Sequence, residues 1–101
     1  MKTILQWTDL PAGGLHTAWF GIIMLRVRLE NDDQGNTSGY SVALISNKDR
    51  ELGKLFQNLD NAKFAAERLL WNTVNEMYNE LSQHTWDTYT DKSLEFKWVV
   101  R

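Results

Sequence analysis

The side chains that most often carry catalysis are thin in this chain. His16 and His84 are the only histidines and there is no cysteine, which removes thiol nucleophiles, thiolate metal sites and disulfides together. His84 shares a polar stretch with Asp87 and Asp91, residue types able to hold a metal or to form an acid–base pair. Such groupings are common on polar segments without function, and neither histidine stands in a metal or nucleophile motif. Gly13-Gly14 lacks the lysine of a phosphate-binding loop. Glu30, Asp32 and Gln34 match the first ligand slots of a calcium loop and Gly35 its turn slot, but Ser41 falls where a bidentate glutamate is required. The expectation is a protein that is not an enzyme and holds no metal or cofactor.

Composition points the same way. A chain of 101 residues with formal charge -2 and interspersed acidic and basic residues lacks the basic footprint that most nucleic-acid binders use to neutralise phosphates. A protein partner is the more natural one. The apolar run Ala18–Leu25 is too short to span a bilayer and is followed by Arg26 and Arg28. No signal-peptide pattern opens the sequence, so a cytoplasmic protein without a membrane span is expected. The length suits one domain, residues 1–101.

The most regular pattern runs from Asn58 to His84 and predicts one long amphipathic helix. Leu59, Ala62, Ala66, Leu69, Leu70, Thr73, Val74, Met77 and Leu81 fall in one arc at about 100° per residue. Asn58 suits the N-cap and Asp60 the positive end of the helix dipole. Arg68, Asn72, Asn75, Asn79 and Gln83 make the solvated face. Phe64, Trp71 and Tyr78 recur every seven residues, roughly 120° from the centre of the apolar arc. Two readings of this line stay open: rings covered by a sheet or by the C-terminal segment, or a ridge that docks a partner or a second copy of the chain.

The flanking segments read as strands. Thr3–Trp7 forms a first short one, closed by the turn-rich Asp9–Gly14 with its single proline. Thr17–Glu30 reads as one long strand with a bend or bulge at Gly21. Its second half alternates Ile23, Leu25, Val27 and Leu29 against Met24, Arg26, Arg28 and Glu30. After the polar loop Asn31–Gly39, Tyr40–Ser46 and Glu51–Phe56 supply two more strands. His84–Lys92, which carries Trp86 and Tyr89, reads as a polar connection, and Ser93–Val100 alternates as a last strand. The predicted fold is α+β: a mostly antiparallel sheet of four to five strands with one long helix on one face. That arrangement leaves an open sheet face bearing Arg26, Arg28 and Met24.

The join Leu52-Gly53-Lys54-Leu55-Phe56-Gln57-Asn58-Leu59-Asp60-Asn61-Ala62-Lys63-Phe64-Ala65-Ala66-Glu67 resembles one found in many short proteins of phages and prophages. In those, strands bearing tryptophan and tyrosine, here Trp7 and Tyr40, lead through an "LG-x-F-x-x-L-x-x-A-K-x-x-A-E" pattern into a helix. Leu55 is an insertion relative to that pattern. The resemblance covers roughly the first two thirds of the chain and implies an accessory protein of mobile DNA, some of which bind and inhibit host defence complexes, including CRISPR complexes. Fold analogy alone does not carry function.

These observations predict a non-enzymatic interaction protein with candidate contact residues Phe64, Trp71, Tyr78, Arg26, Arg28 and Trp86, and with homodimerisation as one form of contact. The alternative is a nucleic-acid module in which Arg26, Arg28 and Lys97 meet the phosphates while tryptophan or tyrosine rings stack on bases.

Overall fold

The computed structural model of the chain describes residues 2–89, and for Pro11 and residues 84–89 only the backbone. Five strands and one helix make an α+β fold in which the helix packs on one face of the sheet. The strands are β1 (Trp7–Leu10), β2 (Leu15–Phe20), β3 (Ile23–Asn31), β4 (Thr37–Ile45) and β5 (Arg50–Glu51); the helix α1 spans Leu59–Tyr89. The sheet order is β1-β2-β3-β4-β5, antiparallel throughout. Each connection is therefore a hairpin, closed by a short link. The predicted last strand, Ser93–Val100, lies outside the described residues.

Three boundaries differ from the sequence reading. The expected single strand Thr17–Glu30 is two strands, because the chain reverses at Gly21-Ile22 with Phe20 opposite Ile23. Gly21 has φ +61° while among the described residues no other residue type adopts positive φ, the pattern of a type II′ hairpin turn with glycine first. One glycine in an apolar run is a faint turn signal, so the reversal is hidden. The first strand starts at Trp7, not Thr3, because the preceding residues give their amides to the helix. Ile4 N–H donates to Glu67 Oε1 and Leu5 N–H to Glu67 Oε2, both at 2.9 Å. The expected strand Glu51–Phe56 pairs only at its ends, through β5 and through an isolated bridge between Phe56 and Tyr40. Gly39 (φ +136°) lets that bridge close, since a Cβ there would lie 3.0 Å from the Phe56 carbonyl oxygen.

The polar loop between β3 and β4 is held by Asp32, whose Oδ1 accepts from the Gln34 and Asn36 amides at 2.9 and 2.8 Å. This side-chain turn accounts for the aspartate that sequence reading weighed as a calcium ligand.

Strand alternation builds the core. Ala18 of β2, Leu25 and Val27 of β3, and Val42 and Leu44 of β4 are all buried, as are Ala62, Ala66 and Leu70 of α1. Ala62 and Ala66, one turn apart, are completely buried. Each fully buried leucine or valine contributes about 1.5–3 kcal/mol. The helix starts as predicted: the Asn61 amide donates to Asn58 Oδ1 at 3.1 Å, with Asp60 in the first turn. It does not stop at His84. No glycine or proline follows Gly53, so nothing in the covalent chain breaks it there, and the expected polar connection is helical to Tyr89. Compactness divides the chain within α1: one unit is Met1–Trp71 and a second begins at Asn72.

Candidate functional site

The residues of the strand-to-helix join are accounted for by the fold of the first unit. Lys63 Nζ donates to Asp9 Oδ1 at 2.9 Å and lies 5.7 Å from the centre of the Trp7 ring. Asp9 Oδ1 is also 2.5 Å from Nδ1 of the buried His16, whose ring meets Tyr40 edge-on at 6.2 Å. The hydrogen bonds from His16 and Lys63 hold the Asp9 carboxyl below its ordinary value. Four residues further along the helix, buried Glu67 collects the Ile4 and Leu5 amides and, at 3.0 Å, the indole N–H of Trp7. These contacts tie α1 to β1 and to the residues before it, and β1 to β2, and among the described residues no buried side-chain nitrogen or oxygen lacks a hydrogen-bond partner. The sequence places Glu67 at the end of the join pattern but assigns it no contact. Its signal was visible: a glutamate four residues after a lysine, beside the alanines of the apolar arc.

The opposite sheet face is arranged differently. The register aligns Trp19, Met24 and Ile45 in one row across β2, β3 and β4. The next row is Thr8, Thr17, Arg26, Ala43 and Glu51, and the third is Leu10, Leu15, Arg28 and Ser41. Trp19 is 61% exposed on this face and Ile22 at the β2–β3 turn is 89% exposed, whereas Phe20, 52% exposed, shares the face of Ala18 and His16. On the open face the exposed indole of Trp19 adjoins the half-buried Met24 and Ile45, and apolar surface grouped in this way marks candidate contact sites. Trp19 was missed because an unbroken strand over Thr17–Glu30 offered no way to place β2 beside β3.

Arg26 and Arg28 lie on this open face as their alternation predicts, and each has a carboxylate. Arg26 is 3.7 Å from Glu51, and Arg28 Nε donates to Glu30 Oε1 at 3.0 Å. The Ser41 hydroxyl donates to the same Glu30 oxygen at 2.8 Å. That bond and the Arg28 guanidinium hold the Glu30 carboxyl below its usual range. These arginines are thus oriented and locally neutralised, which is not the arrangement of a phosphate-binding stripe. Lys97, the third cation of the nucleic-acid reading, lies outside the described residues.

The helix residues fall into two groups. In the first unit Phe64 is half-buried, whereas Trp71, at the end of that unit, is 68% exposed. In the second unit Tyr78 is 67% exposed. Met77 and Leu81, expected in the core arc, are exposed, and Asn75, expected in solvent, is half-buried. Along the apolar arc Thr73 is buried, Val74 is half-buried, and Met77 and Leu81 are exposed. Trp86 belongs to the helical backbone, and its side chain lies outside the described residues.

Among the described residues no group of three or more histidines, aspartates or glutamates is placed to hold a metal ion, and no helix is long and apolar enough to cross a membrane. Comparisons with family models, curated proteins and solved structures find no match.

Proposed function

We propose that the chain is a non-enzymatic interaction protein whose open sheet face docks a macromolecular partner, a protein in preference to a nucleic acid. The observation that carries this reading is the row Trp19, Met24 and Ile45, an exposed tryptophan beside two half-buried apolar side chains on the face opposite the buried core, with exposed Ile22 at the adjoining turn. Tryptophan and arginine are the residue types that most often dominate interface energies when water is excluded around them. Pairing of Arg26 and Arg28 with Glu51 and Glu30 favours protein over phosphate. A host defence complex, as the join resemblance implies, is one such partner; the join residues themselves are accounted for by the fold and add nothing to its identity.

The test is affinity capture from a cell lysate with wild type and Trp19→Ser, each with and without nuclease. The expected result is a retained protein that survives nuclease and is lost with Trp19→Ser, while the two proteins melt within a few degrees of each other. Retention that disappears on nuclease treatment instead supports the alternative. Retention unchanged in Trp19→Ser removes this face from consideration.

A further inference from the structure

We infer that the open sheet face is self-complementary and that its occupant is a second copy of this chain. The inference rests on the docking reading of that face and adds the partner's identity. Two properties of the face favour a copy of itself.

The first is charge. Arg26 and Arg28 are matched on the face by Glu51 and Glu30, so two copies meeting here bring no net charge together although the chain carries -2 overall. The helix of the second unit does not offer this. From Asn72 to Tyr89 there is no lysine or arginine, while Glu76 and Glu80 are both present.

The second is area. Strands about 4.8 Å apart and a residue rise of about 3.3 Å make the five-strand face, between the Trp19 row and the Glu30 row, roughly 20 Å on each side. Side chains included, that is about 500 Å² per copy and about 1,000 Å² in total, the lower limit for a specific interface. Sheets stacked face to face about 10 Å apart leave room for Trp19 and Met24 to interdigitate. A two-fold axis then uses the same patch on both sides and closes, so assembly stops at the dimer. An interface at this lower limit belongs to the weak, transient class, so a reversible dimer is expected.

Sedimentation velocity of the full chain from about 5 to about 500 µM, the span over which such an interface exchanges, tests this. Wild type should shift from monomer to dimer across that range, and its melting temperature should rise with concentration. Trp19→Lys, at an exposed position, should weaken the dimer at least tenfold and lose the concentration dependence, whereas Asn79→Lys on the helix should leave both unchanged. A wild type that stays monomeric at the highest concentration, or a dimer untouched by Trp19→Lys, overturns the proposal. If the monomeric wild type still retains a nuclease-resistant partner that Trp19→Lys loses, the docking role of the face stands and only self-docking falls. If neither association nor retention responds to Trp19→Lys, both fall.

Discussion

The two faces of the sheet are written by the same strands, one residue out of step, and they differ in what they leave undone. On the helix side, Leu25, Val27, Val42 and Leu44 are fully buried, and the polar groups at its margin, His16, Asp9, Lys63 and Glu67, are hydrogen-bonded to one another or to the N-terminal segment. On the other side, Trp19 meets water, and the Arg26 and Arg28 side chains are 26% and 49% exposed. Because side chains alternate with period two, a core on one face leaves the other free to be chosen for something else. The difference separates residues that hold the fold from residues available for contact, and substitutions on each side should produce opposite signatures.

The largest expected effect lies at the covered face. Leu70→Asp places a carboxylate at a buried position of α1, unfavourable by several kcal/mol against a typical total of about 5–15 kcal/mol, so circular dichroism should show an unfolded chain. Leu25→Ala should lower stability by about 2–5 kcal/mol through lost burial and a residual cavity. Trp19→Asp, on the open face, should melt near wild type. Equal melting temperatures for Leu70→Asp and Trp19→Asp would invert the assignment of the faces.

Next comes Glu67. Replacing it with alanine leaves the Ile4 and Leu5 amides and the Trp7 indole N–H without their acceptor, which should cost about 1–3 kcal/mol. Glutamine keeps the shape and one acceptor oxygen and should recover part of the loss. Denaturant midpoints of the three proteins give the ranking, and an alanine variant as stable as wild type would show that the N-terminal segment is not pinned by this carboxylate.

A smaller effect follows from pH. The Asp9 carboxyl is held below its ordinary value by hydrogen bonds from His16 and Lys63, and a depressed carboxylate contributes stability above its unfolded value of about 3.9. That contribution is lost as pH falls through the folded value. Stability should therefore drop on acidification below about pH 4, more steeply in wild type than in Asp9→Asn. Glu30, depressed by Ser41 and Arg28, acts in the same window, so the asparagine variant should keep part of the slope. Identical slopes would mean that the Asp9 contacts contribute nothing to stability in solution.

Much of the covered face was legible from sequence and much of the open face was not, and the reason is physical. Alternation in Ile23–Glu30, the helical arc and the Asn58 cap are local patterns, set by backbone period and by one hydrogen bond. The open-face row depends on register between strands, which needed the reversal at Gly21 to be seen. A strand read through that turn puts Trp19 six residues from Leu25 instead of beside Met24. The helix end was missed for the converse reason: polar residues after His84 suggested a stop, but no glycine or proline supplies one. Exposure of Met77 and Leu81 was equally hidden, because periodicity gives the face on which a residue lies and not how far along the helix that face is covered.

The smallest effect on stability is expected at Trp71, where the two readings of the aromatic line part most clearly. A tryptophan in a core costs about 3–5 kcal/mol when cut to alanine. At 68% exposure most of the ring is already in water, so Trp71→Ala should change stability by less than about 1 kcal/mol, the range of ordinary surface substitutions. Phe64 on the same line is half-buried, and Phe64→Ala should cost more than Trp71→Ala. Thermal melts of both variants at one protein concentration measure the order. A Trp71→Ala variant that melts as low as Leu25→Ala would make the ring part of the core, and would leave Trp19 as the stronger candidate for carrying contact with a partner.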